Sequence, residues 1–136
     1  MYCTVDDLYE IFGEHNITKW ADLDNDDNDS GVITSRIDRA IRHASNEVDS
    51  RLRHGIYTLP IASSTGSIPE DIIDVVATLA GVYLYENKGI DDFDPDTGRV
   101  VHRLIHSKKR AEGIIRSIQA GQRHINAVQR VYQVPR

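Results

Sequence analysis

At 136 residues, with 40% hydrophobic and 27% charged residues, the chain is long enough for one domain around one sizeable core, and its composition excludes wholesale disorder. The single cysteine, Cys3, excludes an internal disulfide and leaves no thiol pair for a metal, which fits a reducing, intracellular origin. The net charge of −5 conceals a polarised chain, with −13 over residues 1–98 and +8 over residues 99–136. Such a division suits a nucleic-acid tail, packing between copies of one protein, a charged partner, or a basic end folded back on its own acidic body.

The opening "MYCTVDDLYE" has no basic region before an apolar run, so it does not read as a secretory signal. "TVDDLYEIFG" predicts a short helix: Thr4 is the N-cap, Asp6 and Asp7 sit where they favour the helix dipole, Leu8, Ile11 and Phe12 are apolar, and Gly13 is the stop. "NITKWADL" predicts one or two further turns with Ile17, Trp20 and Leu23 inward, before the run "DNDDNDSGVIT" (residues 24–34) breaks regular structure.

From Ser35 to about Arg53, Ile37, Ala40, Ile41, Ala44, Val48 and Leu52 recur at three- and four-residue steps, with Arg36, Asp38, Arg39, Arg42 and Glu47 on the other face, the signature of an amphipathic helix. Ser35 and Asp38 fit a capping box at its start. Gly55 ends it. "IYTLPIASSTGS" is a loop in which Pro60 forbids helix and Ile56, Tyr57, Leu59 and Ile61 cover one end of the core.

Pro69 in a first turn, followed by Glu70 and Asp71, opens a helix running to about Asn87 and stopping at Gly89. Its run "IIDVVATLAGVYLY" (Ile72 to Tyr85) is interrupted by Asp74 and falls short of the roughly 18 to 20 apolar residues a bilayer crossing needs. A helix apolar nearly all round belongs at the centre of a bundle or beneath another subunit. "IDDFDPDTG" reads as a loop, and a last helix from about Arg99 to Gln119 turns Val101, Leu104, Ile105, Ala111, Ile115 and Ile118 inward. After Gly121, Ile125, Val128, Val131, Tyr132 and Val134 alternate with polar residues, and no partner strand is evident in the same chain. The expected architecture is therefore all-α: a small bundle of four to five helices over residues 1–121, with an extended C-terminal arm over 122–136. Those five arm residues are the candidate partner or oligomer contacts.

Little in the chain points to chemistry. An EF-hand needs oxygen ligands at alternate loop positions, a glycine at the sixth and a bidentate glutamate at the twelfth. Starting from Asp26 the chain offers Asp26, Asn28, Ser30, Gly31 and the Val32 carbonyl, but Ile37 stands where the closing carboxylate is required. Asp26, Asn28 and Ser30 are thus a weak metal candidate. The favoured alternative is an Asx-rich turn, with its glycine left-handed, feeding a capped helix. His102 and His106 have the four-residue spacing of a zinc face without the glutamate or a third ligand. Lys108, Lys109, Arg110 and Arg116 form a basic stripe that suits DNA or another subunit but lacks interleaved aromatics and any sequence-reading module. There is no phosphate loop, no nucleophile elbow, no cofactor motif and no convincing catalytic set, so the expectation is a protein that is not an enzyme.

The order of features is nevertheless distinctive. "AxxEVDxRL" (Ala44 to Leu52) followed by "YxLPI" (Tyr57 to Ile61), with "TVDDLYEIFG", "DNDSGVI" and "PEDIIDVVATLAGVYLYE" around them, resembles the head-tail connector (adaptor, or head-completion) proteins of tailed bacteriophages, in particular the Mu-like branch. The resemblance covers about residues 2–119. It implies a small helical virion protein, made in the bacterial host cytoplasm and placed in the neck, with no membrane association. It further implies a homo-oligomeric ring, dodecameric by portal symmetry, whose partners are the portal, a downstream neck, stopper or tail protein and, non-specifically, packaged DNA. Outside this resemblance two other functions fit: a calcium-dependent binding module on the acidic loop, and a small non-specific DNA-binding protein acting through the basic stripe.

Overall fold

The computed structural model describes residues 1–25, 30–89 and 92–130. Five helices form the fold: α1 (Val5–Phe12), α2 (Glu14–Ala21), α3 (Ser30–Leu52), α4 (Glu70–Lys88) and α5 (Ile105–Gln119). Between α4 and α5 the strands β1 (Asp92–Asp94) and β2 (Arg99–Val101) form an antiparallel hairpin in which Asp94 pairs with Arg99. The all-α expectation holds, with this hairpin as its one addition among the described residues.

α4 is the axis. Ile72, Val75, Val76, Ala77, Leu79, Ala80, Val82, Leu84 and Tyr85 are all buried along it, and α1, α2, α3 and α5 pack around it. This is the central-helix solution to a helix with almost no polar face. Gly81 faces α1 so closely that a Cβ there would stand 2.1 Å from the Phe12 ring. α4 ends as the sequence predicts, on Gly89 in the left-handed region (φ 71°), whose N–H bonds the Glu86 carbonyl. No described helix is long and apolar enough to cross a membrane.

α1 begins at Thr4, whose N–H and hydroxyl both donate to the Asp7 carboxylate (2.8 and 3.2 Å), and it ends at Gly13 (φ 90°). Ile17 and Trp20 of α2 are buried as expected, and the Trp20 ring meets Phe12 and Tyr85 edge-on. Leu23 is not inward: it is 42% exposed past the end of α2.

Two boundaries and one glycine differ from the sequence reading. α3 starts at Ser30, so Ser35 lies inside it and Ser35–Asp38 is not its cap. Gly31 is helical rather than left-handed, because a glycine near a helix start loses little against the hydrogen bonds and apolar face that follow. Residues 99–101 are strand rather than helix, with Gly98 (φ 68°) closing the tight turn, so α5 begins only at Ile105.

The loop between α3 and α4 and the described part of the arm are held together. Tyr57 and Ile61 are buried and Leu59 packs on the core, whereas Ile56 is 47% exposed, contrary to its expected covering role.

Candidate functional site

The candidate sites are surfaces and the links that set them. The arm is the first. Described residues 122–130 do have a partner in their own chain, and it is the Ile56–Ala62 loop. Thr58 donates to the Val128 carbonyl (2.9 Å), Val128 donates to Ala62 (2.8 Å) and Arg130 donates to Ile56 (2.6 Å), with one antiparallel bridge between Tyr57 and Gln129. The Tyr57 hydroxyl accepts from the Ile125 N–H (3.0 Å), and the Arg130 guanidinium donates to the carbonyls of Tyr57 and Arg53. Ile125 is half-buried against the core and Val128 is 44% exposed. Of the expected contact residues, Ile125 and Val128 therefore belong to this clasp, while Val131, Tyr132 and Val134 lie outside the described residues.

The acidic loop is the second. Arg36 reaches from α3 to the Asp24 carboxylate (2.9 Å) and the Ala21 carbonyl (3.1 Å), and Lys88 bonds the Asp22 carbonyl and Asn25 Oδ1 (2.7 Å). Asn25 itself is left-handed (φ 54°). Two cations from other helices thus anchor the entry to the loop. Asp26 and Asn28 lie outside the described residues, and nothing is described of the Ser30 side chain. Ser30, Gly31 and Val32 all sit in α3, and a helical backbone there cannot wrap an ion as an EF-hand loop does, since that loop needs its sharp turn at the glycine. The described residues contain no group of three metal-ligating side chains placed to share an ion.

The histidine pair is also separated. His102 precedes α5 and only His106 lies on it. The His102 ring packs on Tyr85, its Nδ1 accepts from the Leu104 N–H (3.1 Å), and its Nε2 bonds Glu86 Oε1 (3.1 Å). Lys108 also donates to Glu86 (2.8 Å). Burial pushes the Glu86 carboxyl up, but the hydrogen bonds from Lys108 and His102 outweigh it and hold the group below its ordinary value. The Lys108 ammonium is raised, first by its hydrogen bond to Glu86.

The basic stripe divides for the same reason. Lys108 turns inward to Glu86, Lys109 and Arg116 share the exposed side of α5, and Arg110 borders a groove against α1 and α4. Arg123 forms a two-point contact with Asp71 (3.1 and 3.3 Å). Part of the basic end is therefore folded back on the acidic body of its own chain. A second basic pair, Arg39 and Arg42, which the sequence reads only as the polar side of a helix, stands exposed at three-residue spacing on α3. That spacing was the signal available.

At the N-terminus the Tyr2 hydroxyl donates to Asp49 and accepts from the Ile61 N–H (2.9 Å), while the Tyr2 N–H bonds Ser45 (3.2 Å). Burial and the Asp49 carboxylate push the Tyr2 phenol up. This node ties the first residues, the "EVDxRL" helix and the "YxLPI" loop together, which gives the two motifs a common structural role.

A fold defined by such shared links is the level at which a family match is informative. The model of the family "Bacteriophage Mu, Gp36" matches residues 2–133. The chain belongs to that family. It is accordingly a bacteriophage structural or morphogenesis protein. The Gp36 match spans the whole clasp, so residues 122–133 fall within the family's shared length. No curated protein matches the chain.

Proposed function

We propose that this Gp36-family protein is a head-tail connector: a non-catalytic virion part that forms a ring, dodecameric by portal symmetry, between the portal and the next neck or tail component. The observation that carries the reading is the family match over residues 2–133. The structure supports it in kind. The pairs Arg36–Asp24, Lys108–Glu86 and Arg123–Asp71 brace one element against another, as a load-transmitting part requires. Packaged DNA is at most a non-specific neighbour, because Lys108 of the basic stripe is already paired with Glu86. The calcium reading has no such support, since α3 takes up the second half of the loop.

The test is genetic and visual. A phage carrying a stop codon early in this gene should accumulate filled heads and free tails, and an epitope on the chain should label the neck of wild-type particles. Joined, infectious particles without the protein would overturn the proposal.

A further inference from the structure

The outward side of α3 carries groups that neither the core nor the clasp uses. Arg39 and Arg42 lie one turn apart on the side away from buried Ile37 and Ile41, both exposed, and neither has a partner among the described residues. Beside them a cleft of about 240 Å³ runs between the end of α2, α3 and α4, lined by Leu23, Arg39 and Tyr83 among others. Leu23 (42% exposed) and Val32 (36% exposed) stand at this surface, so an apolar patch adjoins the two cations.

A second surface has the opposite sign. Asp6 and Glu10 form the exposed side of α1, Glu14 continues it at the start of α2, and none of the three has a partner among the described residues. Ile11, 44% exposed, lies at its edge and opens on a groove of about 340 Å³ between α1, α4 and α5, with buried Val75 and half-buried Thr78 at its floor and Asp74 and Arg110 at its border.

We propose that these two surfaces meet between copies of the chain: Arg39 and Arg42 of one copy face Glu10 and Glu14 of the next, and Leu23 and Val32 cover Ile11 and its groove. The inference rests on the ring reading and supplies its lateral contact. An apolar centre with a charged rim is the ordinary anatomy of a specific interface. Complementary charge then fixes register and suppresses wrong pairings. Because the two surfaces differ, the contact is head-to-tail and generates a ring where its rotation closes, which a contact between identical patches does not do. DNA is the rival claimant for the arginines, but a phosphate backbone offers nothing to Leu23 and Val32, whereas Ile11 does.

Charge reversal tests it in the phage. Three alleles supplied to the null mutant are R39E/R42E, E10R/E14R and the combination of all four, with joined particles counted by electron microscopy. Each double reversal should lower the count about tenfold or more, because like charges then face each other, and the fourfold allele should recover most of it. A fourfold allele no better than either double, or doubles equal to wild type, overturns the interface. All four positions are exposed, so folding should survive, and thermal melting of the purified variants checks this. Val32→Cys combined with Ile11→Cys gives an independent readout: particles treated with a mild oxidant should yield disulfide-linked multimers, and monomer alone overturns the contact. Loss of DNA retention by R39E/R42E with the ring intact assigns the arginines to DNA and also overturns it. A ring that persists in the reversed alleles removes only this interface, whereas absence of the chain from wild-type necks removes the ring reading itself.

Discussion

α4 and the arm clasp are held by opposite means. Along α4 the stabilisation is apolar burial against four other helices, with Gly81 admitting the Phe12 ring at a distance no other residue allows. In the clasp it is main-chain hydrogen bonding between two segments with little regular structure, fixed by the Tyr57 hydroxyl and the Arg130 guanidinium. Apolar burial is non-directional and spread over many residues, so single losses along α4 should be felt globally. A few hydrogen bonds near the surface make a unit able to open by itself. The bundle and the clasp thus have different stabilities within one small domain.

Replacing a buried α4 residue should break the whole fold rather than a part. Ile72→Ala is expected to cost about 3 kcal/mol, seen as a lower urea midpoint with an unchanged slope; a loss under about 1 kcal/mol, against the range for such truncations, would place Ile72 outside the tightly packed core. Gly81→Ala comes next. The added methyl must displace Phe12, an overpacking cost of roughly 1–3 kcal/mol, against which the better helix propensity of alanine returns up to about 1 kcal/mol. In a Phe12→Ala background the same change should become neutral or stabilising. If it stays as costly there, the ring is not what Gly81 accommodates.

Tyr57→Phe probes the other side of the comparison. Losing the acceptor for the Ile125 N–H should cost about 1 kcal/mol, confined to the clasp. Amide exchange at residues 125, 128 and 130 should quicken while the α4 amides stay protected; equal acceleration in both would show that bundle and clasp open together. The smallest effect is at Glu86 and Lys108. Glu86 is lowered in the fold, so its contribution is present above its ordinary value of 4.5 and is lost as pH falls through the lower folded value. Lys108 is raised, so its contribution is complete below 10.5 and is lost only as pH climbs through the higher folded value. Both groups are about one-third exposed, at 37% and 34%. Lys108→Met should therefore cost only about 0.5 kcal/mol at neutral pH, and less in acid, where Glu86 is protonated. A cost that does not change with acidification would rule out the ion pair as its source.

The same contrast explains what could be read from the sequence. The inward faces of α3 and α4 were legible because apolar spacing at three and four residues reports burial directly, and Gly13 and Gly89 mark real helix ends. The start of α5 was not, since Val101, Leu104 and Ile105 continue a helical spacing through what is in fact a strand and a turn. Ser35 and Asp38 imitated a cap inside a longer helix. The clasp was hidden for another reason: its partner is the loop around Pro60, which has no strand pattern, and its bonds are made by main-chain groups that every sequence possesses. Of the surfaces, the basic stripe looked continuous only in the linear chain, because α5 sends Lys108 and Lys109 in different directions. Arg39 and Arg42, read only as the polar side of a helix, turn out to stand beside exposed Leu23 and Val32.

Cys3 is 7% exposed, and burial, aided by the Asp7 carboxylate, pushes its thiol up to about 12. At neutral pH almost none of it is the nucleophilic thiolate. The folded wild-type chain is therefore expected to react slowly with maleimides, so a fluorophore or spin label attached through a cysteine introduced on its surface should report from that one position in an otherwise unaltered protein.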